Sequence, residues 1–290
     1  MNKCILLSME QLDDFECYDR LTIEPLAKLG WHAEEISWRD KEVNWNDYDA
    51  VIIRSPWDYQ DASEEFLSVL EKIEQSNAHL ANSLETVKWN INKNYLSELS
   101  NQGVNIVPTI WHKNYAENQI EEAFNHFKTD ELIIKPCISA NADDTFRISK
   151  SDSNIDHKKF FELFNNREFM LQPFMQSVIN EGEFSLFFFN NEYSHAIVKK
   201  PGTDDFRVQE EHGGQLTKIE PEKALLDTAQ KALSKLPDAM LYARLDFVRL
   251  NNQFVLMEAE LIEPSLYFNM DDESPTRFAK AFVDYMEALK

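Results

Sequence analysis

Cysteine, positive charge and long apolar runs are scarce in this chain of 290 residues. The three cysteines are an odd number without metal-ligand spacing, which argues against a disulfide framework or a zinc site and favours a reducing, cytoplasmic compartment. A net charge of −22 argues against binding to nucleic acid or to anionic membrane surfaces, because both require a basic face. No apolar run approaches the length of a membrane span, and the short run at residues 4–7 is followed by acids, unlike a signal peptide.

Hydrophobic residues make up 43% and aromatic residues 12% of the chain, which is typical of a globular protein with two or three domains. Over residues 1–86, apolar runs of strand length alternate with amphipathic stretches of helix length. This alternation predicts a parallel α/β layer. The predicted strands of the layer cover residues 3–9, 31–37 and 50–54.

The end of the third predicted strand carries a candidate substrate contact. In parallel sheets, ligands bind beyond the carboxyl ends of the strands, where Arg54 and Ser55 lie. One interpretation is that Arg54 holds a substrate carboxylate, with Trp57 and Tyr59 as walls. The other is that Arg54 is a structural residue in a loop with core aromatic residues. The sequence leaves both interpretations open.

The sequence pattern predicts two further structural units in the remainder of the chain. Residues 86–101 predict a helix that includes Lys93, and short strands and helices then continue to residue 173 as a small α+β unit. Beyond it, the pattern predicts antiparallel hairpins and amphipathic helices. Asn-Asn pairs mark the hairpin turns at residues 190–191 and 251–252, because Asn tolerates positive φ better than most residues.

The last predicted hairpin collects charged residues on one face of an apolar sheet. Glu258 and Glu260 are two residues apart and share a face, as do Arg244 and Asp246 on the preceding strand. Three carboxylates packed together repel one another, and a hard divalent cation such as Mg²⁺ removes the repulsion. The alternative is a solvated strand face with surface acids. The strongly apolar strand, with Asp246 across the turn, favours the metal site.

A series of motifs runs through nearly the whole chain in a fixed order. They are Arg54-Ser55-Pro56-Trp57-Asp58-Tyr59, Lys93, Lys135-Pro136, Gln172-Pro173-Phe174-Met175, Gly182-Glu183, Arg207 with Gly213-Gly214, Asp246 and Glu258-Ala259-Glu260. This ordered set resembles the ATP-grasp superfamily, in particular the branch that contains bacterial glutathione synthetase and the cycloserine-forming ligase. The resemblance implies an N-terminal α/β (pre-ATP-grasp) domain, a small central α+β subdomain with a linking helix, and a C-terminal antiparallel-sheet subdomain. We expect these parts at residues 1–86, 87–173 and 174–290.

The resemblance also implies a role for each motif. ATP would lie between the last two parts, and its phosphates would be held by Lys93 and Lys135, with Lys199 as a further candidate. The adenine hinge would be formed by Gln172, Pro173, Phe174 and Met175, and a ribose hydroxyl would be bound by Glu183. Mg²⁺ or Mn²⁺ would be bound by Asp246, Glu258 and Glu260. An acyl phosphate and the following oxyanion would be stabilised by the catalytic residues Arg207 and Arg244, and the substrate would be contacted by Arg54, Ser55, Gly213 and Gly214.

The implied activity is that of an ATP-dependent carboxylate–amine ligase. A carboxylate attacks the γ-phosphate and becomes an acyl phosphate, and an amine or related nucleophile then displaces phosphate to give an amide-like bond. The expected partners are small-molecule carboxylate and amine substrates, and the branch is often homo-oligomeric. One alternative is a non-catalytic or regulatory ATP-binding protein that retains the fold. Another is a ligase that acts on a protein or peptide end.

Two features depart from the pattern of the family. The loop that covers the phosphates is usually glycine-rich, because backbone N–H groups must approach the phosphates closely, yet residues 139–145 contain no glycine. We expect the acids of this loop, Asp143 and Asp144, to point away from the nucleotide. The last metal position is Glu260, where many relatives carry Asn, and the added negative charge favours a metal ion.

Overall fold

The computed structural model describes residues 1–13, 15–139, 142–203 and 205–289, and it contains three β-sheets with helices packed against them. This architecture confirms the predicted combination of α/β and α+β parts. One cluster of buried apolar residues joins the first sheet to the third, and further clusters lie on the remaining faces. Among the described residues, no helix is both long enough and apolar enough to cross a membrane.

A parallel sheet forms the N-terminal part. Its strands are β1 (Asn2–Ser8), β2 (Trp31–Ser37), β3 (Ala50–Ser55) and β4 (His79–Ala81), in the order β2-β1-β3-β4, with helices α1 (Ile23–Lys28) and α2 (Ser63–Glu74). Successive strand residues point to opposite faces, so Leu6 packs with Phe282 of the C-terminal helix while Leu7 packs with Phe66 of α2. The three predicted strands are confirmed. The three-residue β4 was missed because it is too short to show a period.

The segment between the first two sheets contains two short helices and not the single helix predicted for residues 86–101. Helix α3 covers Leu84–Asn90 and α4 covers Tyr95–Asn101, and Lys93 lies in the break. The break has a tertiary cause, since the backbone N–H of Lys93 donates to the carbonyl of Cys137 at 2.8 Å and not to a carbonyl one helical turn earlier. The prediction that Lys93 lies within a helix is therefore wrong.

An antiparallel sheet forms the central part. Its strands are β5 (Ile110–His112), β6 (Glu131–Pro136), β7 (Phe146–Ser149) and β8 (Phe169–Pro173), in the order β5-β8-β6-β7. Helices α5 (Asn118–Phe127) and α6 (His157–Phe164) pack on it through buried aromatic and aliphatic residues. Helix α6 begins where Asp156 accepts a hydrogen bond from the backbone N–H of Lys159 at 3.0 Å, which satisfies one of the free donors of its first turn.

A second antiparallel sheet forms the C-terminal part. Its strands are β9 (Glu183–Phe189), β10 (Glu192–Lys200), β11 (Gln215–Ile219), β12 (Tyr242–Leu250) and β13 (Gln253–Glu260), in the order β11-β10-β9-β12-β13. The helices of this part are α7 (Gln176–Asn180), α8 (Lys223–Leu233) and α9 (Ser274–Ala288). Both Asn-Asn pairs turn with φ between 49° and 66°, as their sequence predicted.

The outer edge of β13 is hydrogen-bonded by the segment that links the first two sheets. The N–H of Leu256 donates to the carbonyl of Asn105 at 2.8 Å, and its carbonyl accepts from the N–H of Val107 at 3.0 Å. The backbone at residues 259 and 261 bonds to the side chains of Asn82, Asn90 and Tyr95. These contacts fix the strand that carries Glu258 and Glu260.

Candidate active site

A cavity of about 220 Å³ lies between the N-terminal, central and C-terminal parts of the chain. One set of lining residues, which we call the strand wall, stands on strands or on the α3–α4 break: Lys93, Lys135, Glu183, Lys199, Arg244, Asp246, Glu258 and Glu260. A second set, which we call the loop wall, stands outside the strands: Glu16, Trp57, Tyr59, Glu210, Glu211 and Glu263.

The register of β12 and β13 places charged residues next to one another across the hairpin. Arg244 pairs with Glu260 and Asp246 pairs with Glu258, and the register shifts directly after Asp246. The guanidinium of Arg244 donates to the carboxylate of Asp246 at 3.0 Å and also to that of Glu260. The hairpin therefore presents three carboxylates and one guanidinium on the same face, as its sequence predicted.

Lysines supply the other positive charges of the strand wall. The Nζ of Lys199 lies 2.6 Å from a carboxylate oxygen of Glu183 and 3.5 Å from one of Asp246. The Nζ of Lys93 lies 3.1 Å from a carboxylate oxygen of Glu258 and donates to the carbonyl of Ser139 at 2.6 Å. The ammonium group of Lys135 forms no ion pair within the described part of the chain.

Burial and pairing set the pKa values of the strand wall. Burial acts to raise the pKa of Asp246, but Arg244 and Lys199 hold that pKa below its ordinary value. Burial raises the pKa of Glu260 to about 8, with a further increase from Asp246 and Glu258 and an opposing effect of Arg244. Burial lowers the pKa of Lys135. Burial and the neighbouring carboxylates thus disfavour the ionised form of Glu260, and a cation bound beside it would favour that form.

The carboxylates of the strand wall were also predicted to bind a divalent metal ion. In the described ranges, no group of three or more His, Cys, Asp or Glu residues is arranged to hold a metal ion by itself. Mg²⁺ in nucleotide sites commonly uses one or two protein carboxylates together with phosphate oxygens and water. The neighbouring carboxylates of Asp246, Glu258 and Glu260 on the wall of the cavity fit a cation bound in that way.

An apolar slot lies between β8 and the loop that follows β10. The rings of Phe174 and Phe206 meet edge to face with centroids 6.2 Å apart, and the guanidinium of Arg147 lies 3.8 Å from the centroid of Phe174. The N–H of Phe174 donates to the carbonyl of Glu131 at 2.9 Å, so it is engaged within the protein. The slot contains apolar residues that sequence reasoning missed: Ile133, Val178, Phe206, Val208 and Met257.

The loop after β10 forms part of the loop wall. The hydroxyl of Tyr18 donates to Glu210 at 3.3 Å, which joins this loop to the N-terminal part. Arg207 pairs with Asp205 at 2.8 Å, inside the same loop. At Gly214 a Cβ atom would lie 2.0 Å from the carbonyl oxygen of Val208, so only glycine permits this close return of the chain.

Glu263 connects the loop wall to the β13 strand. Burial raises the pKa of Glu263 to about 7, while Tyr59 and Lys93 act to lower it. The backbone carbonyl of Glu263 accepts a hydrogen bond from the indole N–H of Trp57 at 2.9 Å. Together with Glu16, Glu210 and Glu211, Glu263 forms no ion pair with any other described residue.

Arg54 does not face the cavity. Its side chain is 1% exposed and donates to Asp19 at 3.0 Å and to the carbonyl of Pro264 at 2.8 Å. A guanidinium with these partners is already satisfied, which favours the structural interpretation of Arg54 over a contact to a substrate carboxylate. The predicted substrate contacts absent from the described lining of the cavity are Arg54, Ser55, Gly213 and Gly214.

The glycine-free loop is described at residues 142–145, whereas Ala140 and Asn141 lie outside the described residues. Asp143 accepts a hydrogen bond from Gln60 at 3.1 Å, and Asp144 accepts one from Arg167 at 2.6 Å. Neither acid is among the residues that line the cavity. Both therefore have protein partners, in agreement with the expectation that they turn away from a nucleotide.

Comparison with known proteins shows similarity to D-cycloserine synthetase in both sequence and structure. The family model for the N-terminal domain of D-cycloserine synthetase DcsG matches residues 4–82. The cycloserine biosynthesis protein DcsG of Streptomyces lavendulae is 28% identical over 282 residues, which cover 91% of this chain and 92% of that protein. The crystal structure of D-cycloserine synthetase DcsG superposes with a TM-score of 0.86 at 26% identity, over 98% of this chain and 100% of that chain.

Two more distant structures share the fold. The D-alanine–D-alanine ligase from Bacillus anthracis superposes with a TM-score of 0.69 at 12% identity, over 100% of this chain and 98% of that chain. The ATP-grasp ligase PsnB, complexed with a minimal precursor, superposes with a TM-score of 0.68 at 16% identity, over 98% of this chain and 99% of that chain. The chain therefore has the fold of the ATP-grasp ligases and is similar to DcsG over nearly its whole length.

These similarities confirm the fold and the ATP-dependent ligase predicted from the ordered motifs. No finding supports the alternative of a non-catalytic ATP-binding protein. The ATP-grasp cavity brings together most of the predicted site residues: Lys93, Lys135, Gln172, Pro173, Phe174, Met175, Glu183, Lys199, Arg207, Arg244, Asp246, Glu258 and Glu260. The role given to each of them stays a prediction.

Proposed function

We propose that this ATP-grasp ligase requires magnesium, activates a small carboxylate as an acyl phosphate and joins it to an amine. The observation that carries the proposal is the pairing of Arg244 with Glu260 and of Asp246 with Glu258 on the wall of a cavity that also contains lysines. Cations suited to phosphate and carboxylates suited to Mg²⁺ thus share one space. The proposed domains are residues 1–86, 87–173 and 174–290, with the cavity between them.

The nucleotide is proposed to lie between the central and C-terminal sheets. Lys135, which has no ion pair within the described ranges, and Lys93 hold the phosphates. The apolar slot with Phe174 and Phe206 takes the adenine ring, and Glu183 accepts a ribose hydroxyl. Support comes from PsnB, whose fold is shared at a TM-score of 0.65 and 13% identity in a structure with Mg and ADP.

Arg244 is proposed to stand at the reacting centre. Its guanidinium is fixed by Asp246 and Glu260, so its positive charge is oriented before the substrate binds. Such a preorganised charge stabilises the acyl phosphate and the oxyanion that forms when the amine attacks. When bound, Mg²⁺ offsets the charge of the phosphates as the γ-phosphoryl group is transferred. Arg207 takes part by exchanging its partner Asp205 for the substrate.

The loop wall supports a substrate that carries an ammonium group. Its carboxylates Glu16, Glu210, Glu211 and Glu263 have no ion pair among the described residues, so a cationic ligand would be attracted to them. Arg54, the residue expected to bind a carboxylate beside this wall, is engaged elsewhere. Similarity to a D-cycloserine synthetase also supports a substrate with an amino-acid skeleton.

The test begins with calorimetric titration of the purified protein with ATP, with and without Mg²⁺. A panel of amino acids is then incubated with ATP, Mg²⁺ and hydroxylamine, which traps acyl phosphates as hydroxamates. We expect ADP and hydroxamate to form in equal amounts with at least one acid that carries an ammonium group. Binding of ATP that does not respond to Mg²⁺, together with no release of ADP across the panel, would refute the proposal.

A further inference from the structure

The break that carries Lys93 is held from outside the cavity by one acidic residue, Glu168. A single carboxylate oxygen of Glu168 accepts hydrogen bonds from the side-chain amides of Asn92 and Asn94, both at 2.9 Å. These asparagines are the two sequence neighbours of Lys93. Glu168 itself is not among the residues that line the cavity.

Backbone hydrogen bonds join the same elements. The N–H of Cys137 donates to the carbonyl of Glu168 at 2.9 Å, and the carbonyl of Cys137 accepts from the N–H of Lys93 at 2.8 Å. Side-chain and backbone contacts therefore fix the break against the end of β6. From this position the ammonium group of Lys93 reaches Ser139 and Glu258.

Local sequence preference opposes this arrangement. The pattern of residues 86–101 predicts one continuous helix, and such a helix would turn Lys93 away from the carbonyl of Cys137. Contacts from another part of the chain must therefore stabilise the break. Hydrogen bonds to an ionised carboxylate are roughly twice as strong as neutral ones, so Glu168 is well suited to this task.

We propose that Glu168 is a positioning residue for Lys93, which it holds where the ammonium group can meet a phosphate of ATP. The inference rests on the proposed role of Lys93 in phosphate binding. Glu168 acts on the nucleotide only through the geometry of the break, because its carboxylate is engaged by Asn92 and Asn94.

The experiment compares the affinity for ATP with the affinity for adenosine, which lacks phosphates, by calorimetric titration. We expect Glu168→Ala to weaken ATP binding about tenfold, since it removes two charge-assisted hydrogen bonds, and to leave adenosine binding unchanged. Glu168→Gln retains an acceptor oxygen for both asparagines and should restore most of the affinity. The matched control is Glu162→Ala, an exposed glutamate of α6 near Lys158, which should change neither affinity.

A double variant that combines Glu168→Ala with Lys93→Ala tests whether Glu168 acts through Lys93. If Glu168 acts through Lys93, then Glu168→Ala adds no further loss of ATP affinity in the Lys93→Ala background. An equal loss of ATP and adenosine binding, or a loss that adds fully to that of Lys93→Ala, would overturn the inference. Unchanged ATP affinity in Glu168→Ala beside a clear loss in Lys93→Ala would overturn it too, but would leave the proposed function intact. If Lys93→Ala has no effect, the proposed role of Lys93 fails and the inference fails with it.

Discussion

The two walls of the cavity differ in whether their acidic residues form ion pairs. On the strand wall, Asp246, Glu258 and Glu260 each form an ion pair, with Arg244, Lys199 or Lys93 as the partner. On the loop wall, the four glutamates have no ion pair in the described part of the chain. The strand wall therefore carries as many cationic as acidic side chains, whereas the acidic residues of the loop wall have no cationic partner among the described residues.

The difference follows from the elements that carry each wall. The ladder between β12 and β13 fixes which charges face each other, so pairs such as Arg244 and Glu260 are set by register. The loop-wall residues come from separate segments whose positions depend on a few tertiary contacts, such as that of Tyr18 with Glu210. Rigid pairs suit a reaction common to all substrates, while loops permit selection among substrates.

The strongest test of the difference between the two walls is Glu258→Gln, which removes one charge of the strand wall and keeps the shape of the side chain. We expect the rate of ADP release at saturating substrate to fall about 100-fold, because charge at the transferring phosphoryl group is no longer stabilised. The matched control is Glu192→Gln, an exposed residue at the start of β10, which should keep its turnover. Normal turnover in Glu258→Gln would remove the strand wall from the mechanism.

Glu263 on the loop wall and Glu258 on the strand wall should differ in the sign of their effect on stability. Glu263 has a pKa raised from 4.5 to about 7, so it is ionised in the unfolded chain but protonated in the folded one between these values. Folding stability is therefore lost as the pH rises from 4.5 to 7, by on the order of 3 kcal/mol between pH 4 and pH 8. The variant Glu263→Gln, whose side chain does not ionise, should not show this loss.

Glu258 provides the opposite sign, because its pKa is lowered: burial acts to raise it, but Lys93 and Lys135 outweigh burial. Its stabilising effect is present above the ordinary pKa and is lost as the pH falls through the lowered value, so Glu258→Gln should destabilise the protein at pH 8. Urea denaturation of both variants at several pH values checks the pair. The same sign at both positions would show that Glu258 and Glu263 do not differ in charge compensation.

A smaller effect is expected for substrate binding on the loop wall. Glu263→Gln should raise the KM for the ammonium-bearing substrate about tenfold, since a charge-assisted contact is lost, and should leave the KM for ATP unchanged. Steady-state kinetics with each substrate varied in turn measures both values. A larger change in the KM for ATP would place Glu263 with the nucleotide and not with the amine.

The smallest effect is expected for Tyr18→Phe, which removes the hydrogen bond between the N-terminal part and Glu210. A distance of 3.3 Å is long for a hydrogen bond from a hydroxyl group, so we expect a two- to threefold loss in kcat/KM for the ammonium-bearing substrate. Tyr193→Phe is a suitable control, because Tyr193 lies on β10 and is not among the residues that line the cavity. A loss of 100-fold would show that the loop depends on this one contact.

The strand wall was predictable from sequence and the loop wall was not. Two-residue periodicity and the Asn-Asn turn at residues 251–252 set the register of the last hairpin, and with it the positions of Asp246 and Glu258. Glu16, Glu210 and Glu263 come from segments without a period, so nothing local distinguishes them from other surface acids. Pro264 directly after Glu263 was the nearest signal, and it does not specify a cavity.

Tertiary contacts also place two residues, Lys93 and Arg54, differently from what the local sequence predicts. Lys93 leaves the predicted helix because its N–H bonds to Cys137, which is far away in sequence. Arg54 stands at the predicted end of a parallel strand, yet it turns to the buried Asp19 and not to the cavity. Asp19 is a polar residue in a short turn, and its burial could not be read from its neighbours in sequence.

The covered edge of β13 has a consequence for the behaviour of the protein in concentrated solution. An unpaired strand at the border of a sheet is a template on which a second chain can add a strand. Here the segment at residues 105–107 and the side chains of Asn82, Asn90 and Tyr95 occupy the hydrogen-bonding groups along that border. Two copies of the chain therefore cannot join sheet to sheet through β13, and the strand that carries Glu258 and Glu260 is protected from aggregation.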